Sequence, residues 1–137
     1  MTFYHIRSTI AWFPFLVMLS FGCEIGDSPS EEELNQLPQN WVVSSVSIDG
    51  FDDTATNYSN FRLSFNADGT YSAQDIYGMP ENGSWEVNND QLLLLPTQGA
   101  EKVYIIISLS AEMLVLLFKD EFFKENKANF RYTLVPE

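Results

Sequence analysis

From Trp41 onward the chain alternates apolar and polar residues with a period of two, and turn residues interrupt it every 8–12 positions. Phe61, Leu63 and Phe65 alternate with Arg62, Ser64 and Asn66, the pattern of a strand with one buried face. Tyr71, Ala73 and Asp75 alternate on the next segment, and Ala67-Asp-Gly-Thr70 between them reads as a tight hairpin. Six further segments follow the same grammar: 41–49, 83–87, 91–95, 102–108, 113–118 and 129–135. Asp49-Gly50, Asn88-Asn-Asp90, Pro96 and Ser110-Ala-Glu112 close four of them. No segment after residue 40 has a sustained helical period. About eight strands over roughly 100 residues, joined by short connections, predict an all-β fold, an up-and-down antiparallel meander. Closing that meander into a small barrel removes the exposed edges that invite aggregation.

The first 22 residues lie outside this pattern. Arg7 is their only cation, and the apolar run Ile10-Ala-Trp-Phe-Pro-Phe-Leu-Val-Met-Leu19 follows it. The run contains Pro14 and is shorter than the roughly 20 residues that span a bilayer. Residues 1–22 therefore read as a signal peptide that is removed. Leu19-Ser-Phe-Gly-Cys23 resembles a bacterial lipobox, with small Gly22 before the cysteine. Cys23 is the only cysteine of the chain, so no intrachain disulfide can form, and it lies where lipidation uses one. The resemblance implies a lipid anchor on Cys23. Glu24 in place of Asp lacks the best-known inner-membrane retention signal and points to the outer membrane.

Residues 23–37 form the expected tether. The stretch EIGDSPSEEELNQL carries 5 of the chain's 19 acids and no base, a composition for a solvated, self-repelling spacer. An acidic run directly after a lipidated cysteine also resembles the surface-export signals of Bacteroidetes lipoproteins. Ser30-Glu-Glu-Glu33 matches a capping box and allows a short helix over 30–36. Residues 38–137 are the folded domain.

Charge and composition exclude several functions. With 19 acidic and 7 basic residues and a net charge of −12, the chain lacks the cations that dominate nucleic-acid affinity. The single histidine, His5, falls in the segment expected to be removed. That leaves no histidine-dependent nucleophilic triad and no usual zinc ligand set. No phosphate-binding glycine loop is visible. No cofactor, metal or catalytic residue is expected. The acids Asp49, Asp52 and Asp53 share one loop and offer oxygen ligands for calcium, but their spacing fits no EF-hand. Asp75 and Glu86 form a carboxylate pair only if facing strands bring them within roughly 5–9 Å. Asp53-Thr54-Ala55 resembles a short O-glycosylation acceptor pattern of exported Bacteroidetes proteins.

The order of Asn40-Trp41-Val-Val-Ser-Ser-Val, Phe61-Arg-Leu-Ser-Phe-Asn-Ala-Asp-Gly-Thr-Tyr71, Gly83-Ser-Trp85, Gln91-Leu-Leu-Leu and Phe130-Arg-Tyr-Thr-Leu is similar to the lipocalin-like domains of Bacteroidetes lipoproteins. The resemblance spans residues 38–137 and implies a lipocalin-like barrel. Trp41, Phe61, Phe65, Tyr71, Trp85, Tyr104, Phe130 and Tyr132 are then the candidate interior residues. They either line a cavity for a small apolar ligand or fill the barrel outright, since an eight-stranded barrel is just wide enough for side chains or one small ligand. Glu121-Phe-Phe-Lys-Glu125 reads as a charged loop with aromatics that touch a partner or fold over the barrel mouth. The expected protein is a non-enzymatic, membrane-anchored module that binds a small apolar ligand or an envelope protein. The rival is a filled barrel acting only through protein contacts.

Overall fold

The computed structural model describes residues 28–119 and 128–137. The signal segment, Cys23 and the Glu121–Glu125 aromatics lie outside the described residues. Nine strands follow one short helix: α1 (Glu31–Leu34), β1 (Asn40–Ile48), β2 (Phe51–Asp52), β3 (Arg62–Phe65), β4 (Thr70–Gln74), β5 (Pro80–Asn88), β6 (Gln91–Pro96), β7 (Lys102–Leu109), β8 (Leu114–Lys119) and β9 (Asn129–Pro136). Every strand pairs antiparallel with a sequence neighbour, except that β1 also pairs with β3 and with β9. The β1–β9 ladder runs from Trp41 opposite Pro136 to Ile48 opposite Phe130, with a bulge between Val43 and Ser45. That ladder closes the meander into an eight-stranded barrel. The extra strand, β2, pairs only with the end of β1.

Turn chemistry accounts for the joints. Asp49 and Gly50 both have positive φ, at 50° and 87°, the geometry of a two-residue hairpin that brings Ile48 opposite Phe51. This hairpin, read from sequence only as a strand end, creates the ninth strand. In the 66–69 hairpin Gly69 (φ 87°) alone takes positive φ. Gly83 serves a different purpose. A Cβ there would lie 2.0 Å from the Leu95 carbonyl oxygen, so only glycine allows β5 and β6 to approach this closely.

The core sits inside the barrel. Trp41, Leu92, Leu114, Leu116 and Leu134 are fully buried, with Leu63, Phe65, Tyr71, Leu94, Tyr104 and Ile106 nearly so. One end is plugged. Ser30 and Glu33 form the capping box, with Ser30 Oγ accepting from the Glu33 amide at 3.2 Å and Glu33 Oε2 accepting from the Ser30 amide at 2.7 Å. The helix covers Glu31–Leu34, shorter than the 30–36 span the pattern allows. The chain after it turns inward: Leu37 is completely buried, and its carbonyl accepts from Trp41 Nε1 at 3.0 Å. Composition placed Leu37 on the solvated tether. The structure docks it instead, because an indole N–H buried in the barrel needs an acceptor and the turn after α1 supplies one. Among the described residues no helix is long and apolar enough to cross a membrane.

Candidate functional site

Because successive strands are antiparallel, the 49–60, 75–79 and 97–101 connections gather at the end of the barrel opposite α1. A cavity of about 150 Å³ opens there, and its walls include Phe61, Leu63, Leu94, Met79 and Tyr104 together with Glu81 and Lys102. The strand period explains the two charges. Glu81 shares the inward face of β5 with Gly83 and Trp85, and Lys102 shares that of β7 with Tyr104 and Ile106.

Glu81 and Lys102 meet at the cavity wall, Lys102 Nζ donating to Glu81 Oε2 at 2.7 Å. Tyr71 donates its hydroxyl to the other oxygen, Oε1, at 2.8 Å. The pair is half-screened, with 41% of the Lys102 side chain and 26% of the Glu81 side chain exposed. Burial first, and the hydrogen bond to Glu81 second, push the Tyr71 hydroxyl above the ordinary tyrosine value, so it remains a proton donor. Tyr104 is raised too, chiefly by burial.

The eight aromatic residues singled out in the sequence divide into groups. Phe61 and Tyr104 line the cavity. Tyr71 reaches it through Glu81. Tyr132 and Phe130 stand behind Phe61: the Phe61 and Tyr132 rings stack at 5.2 Å, and Phe130 stacks on Tyr132 at 6.3 Å. Tyr104 packs on Phe118 at 5.1 Å. Trp41, Phe65 and Trp85 belong to the plugged half. Trp41 is sealed under Leu37, Phe65 meets Trp85 edge-on at 5.7 Å, and Trp85 Nε1 holds the 66–69 hairpin through the Asn66 carbonyl at 3.0 Å. Among the described residues, these three pack the α1 end of the interior, and the 150 Å³ cavity lies toward the other end. Sequence reasoning missed Glu81 and Lys102, although extending the β5 and β7 alternation one step toward the open end points both inward.

The acidic candidates do not converge. Asp49 accepts from the backbone amide of Asn129 at 2.9 Å, tying the β1–β2 hairpin to β9. Asp53 accepts from the amides of Ala55 and Thr56 and from the Tyr58 hydroxyl, and the Thr56 side chain first, then Tyr58 and the two amides, hold its carboxyl down at about 2. Its oxygens organise their own loop, where Thr54 is exposed. Among the described residues no group of three or more His, Cys, Asp or Glu is placed to hold a metal ion. Asp75 caps the β4–β5 turn through the amides of Tyr77 and Met79. Glu86 lies exposed on the outward face of β5, far along the strand from that turn, so the two make no catalytic pair.

A shallower groove of about 340 Å³ passes over β3, β4 and β5, edged by Asn40, Arg62, Asn82 and Glu137. Arg62 and Glu137 bridge it at 3.2 Å, both well exposed. Leu63, Ala73, Gln74, Pro80 and Glu81 line both, so the groove adjoins the smaller cavity.

The fold resembles that of a lipocalin-like protein from Bacteroides uniformis, with a TM-score of 0.56 at 12% identity over 74% of this chain and 99% of that one. Odorant-binding protein from bovine nasal mucosa aligns with a TM-score of 0.47 at 16% identity, over 81% of this chain and 77% of that one. No curated protein sequence matches the chain. The model of the lipocalin-like domain family matches residues 39–116, more than half of the 137-residue chain. That match covers the barrel from the approach to β1 into β8, and the chain belongs to the lipocalin-like domain family.

Proposed function

We propose that this protein is a non-enzymatic binding module that holds a small, mostly apolar molecule in the open end of its barrel. The observation that carries the reading is the 150 Å³ cavity, walled by Phe61, Leu63, Met79, Leu94 and Tyr104 on its apolar side and by Gln74, Asp75, Glu81 and Lys102 on its polar side. Sites for small molecules combine these features, apolar walls with a few placed polar groups. The volume is about that of a cavity that accepts benzene, which sets the ligand at roughly ring size. Native mass spectrometry of protein purified from its own host tests this. A bound small molecule is expected, and consistently empty barrels overturn it.

The same proposal places the module on the outer membrane through acyl chains on Cys23. Support comes from the apolar run, small Gly22 and the single cysteine in that order. Each buried acyl methylene contributes about 0.8 kcal/mol to anchoring. Palmitate labelling is expected in the wild type and lost, with release from the membrane, in Cys23→Ala. An unlabelled wild type refutes the anchor.

A second reading, contact with an envelope protein, is favoured by the outer face of β6 and β7. Leu95, Val103 and Ile107 stand exposed there although strands with one wet face ordinarily carry polar residues on it. A stoichiometric envelope protein recovered after mild cross-linking, together with empty barrels, supports this reading over the first.

A further inference from the structure

We propose that the Glu81–Lys102 pair selects the ligand, admitting small uncharged molecules that carry a hydroxyl group, such as an alcohol or a phenol on a single ring. The inference rests on the cavity being a ligand site. It starts from an oddity of the barrel: Glu81 and Lys102 share the inward faces of β5 and β7 and meet in a cavity whose apolar side is Phe61, Leu63, Leu94, Met79 and Tyr104 and whose rim carries Gln74 and Asp75. Inward charges gain nothing for packing, and an apolar pair of similar volume is often as stable or more so.

The hydrogen-bond inventory determines what the pair can recognise. Lys102 has three N–H donors, of which Glu81 takes one. Glu81 receives one hydrogen bond on each oxygen, from Tyr71 and from Lys102, and each oxygen retains a lone pair. The unspent capacity is therefore a donor and an acceptor side by side. A hydroxyl matches both at once, accepting from Lys102 Nζ and donating to a Glu81 oxygen. An ether or carbonyl uses only the donor, and a hydrocarbon uses neither.

Charge sets the second half of the selectivity. The pair is neutral overall, and the only other charge in the cavity wall among the described residues is the Asp75 carboxylate, which adds to the repulsion of anions. An anionic ligand reaching Lys102 arrives beside the Glu81 carboxylate, and a cation reaching Glu81 arrives beside the Lys102 ammonium; like charges at such range disfavour both. The chain's net charge of −12 adds a further repulsion of anions. Tyr71 strengthens the arrangement by donating to Glu81 Oε1, the oxygen that Lys102 does not bind, and so restrains the carboxylate.

Three probes of similar size decide the matter: benzyl alcohol, toluene and benzoate, titrated calorimetrically into the full chain. Benzyl alcohol is expected to bind roughly tenfold tighter than toluene, as a hydrogen bond to a charged group would produce. Benzoate is expected to bind more weakly than either. Lys102→Met should reduce the preference for the alcohol, since only the Glu81 acceptor then remains, while leaving toluene binding in place. Glu81→Gln should raise benzoate affinity roughly tenfold or more, since Lys102 then faces the cavity without its counter-ion. Toluene binding as tightly as benzyl alcohol, or benzoate preferred by the wild type, overturns the selectivity and leaves the cavity reading standing. Failure of all three to bind overturns both. If either variant does not fold, the ranking of the three probes on the wild type decides alone.

Discussion

The two ends of the barrel use aromatic residues in opposite ways. At the plugged end, Trp41 is completely buried and its only polar atom is bonded to the Leu37 carbonyl at 3.0 Å. Phe65 and Trp85 lock edge to face in the same half. At the open end, Phe61, Tyr132 and Phe130 stack along one wall, and the space they leave faces Glu81 and Lys102. Exposed side chains cluster at that rim, with Phe51 80%, Tyr77 81% and Met79 64% exposed. One end thus closes on the bonded indole of Trp41, and the other presents the Glu81–Lys102 pair to a cavity. The contrast teaches that an aromatic residue inside such a barrel says little about ligand contact until its height along the axis is known.

The contrast makes predictions of decreasing size. Trp41→Ala attacks the plug: it removes the largest buried side chain and the indole hydrogen bond that ties Leu37 to β1, for a loss of about 3–5 kcal/mol in chemical denaturation. A loss under about 1 kcal/mol would mean that the plug is not part of the cooperative core. Gly83→Ala is expected to cost about 1–3 kcal/mol, because its Cβ collides with the backbone of Leu95 rather than with a movable side chain. A neutral outcome would show that the β5–β6 approach can relax.

Lys102→Met sharpens the comparison from the other end. The pair is partly exposed, so its removal should change stability by no more than about 1 kcal/mol while ligand selectivity changes. A large destabilisation would turn the pair into a structural element and remove the distinction between the ends. The smallest effect is expected at Asp53, on the open-end loop. Its carboxyl is held from 3.8 down to about 2 by its hydrogen bonds to Thr56 and Tyr58, so its contribution to loop order is complete above about pH 4 and fades as the pH falls toward 2. Amide exchange in residues 53–60 should quicken, relative to the wild-type core, over that window. Asp53→Asn should abolish that pH dependence.

Much of the architecture is legible in residue order. Alternation at Phe61, Leu63 and Phe65, the Asp-Gly and Asn-Asn-Asp joints, and the Ser30–Glu33 box each announce themselves locally, and all eight expected strands form. Leu37 was not legible, because a single leucine between Gln36 and Pro38 carries no period; its burial depends on the indole of Trp41 waiting above it. The β1–β2 hairpin was half visible, since Asp49-Gly50 marks a turn but a two-residue strand leaves no alternation to count. Within the candidate site, Phe61 and Tyr104 were identified as interior residues, whereas the charged partners were not.

By itself, the order of residues determined that this chain makes short antiparallel strands, that one face of each is apolar, and that acids crowd the stretch before the domain. These are local consequences of a two-residue period, turn stereochemistry and charge repulsion. Only the tertiary structure decided which interior residues touch one another. Glu81 and Lys102 are 21 positions apart, on β5 and β7 with β6 between them, and meet only because the strands curve into a closed barrel that turns both faces inward. Closure also assigns Trp41 to the sealed end and Phe61 to the open one. Register and closure arise from pairings summed around the whole barrel, and no single segment contains them.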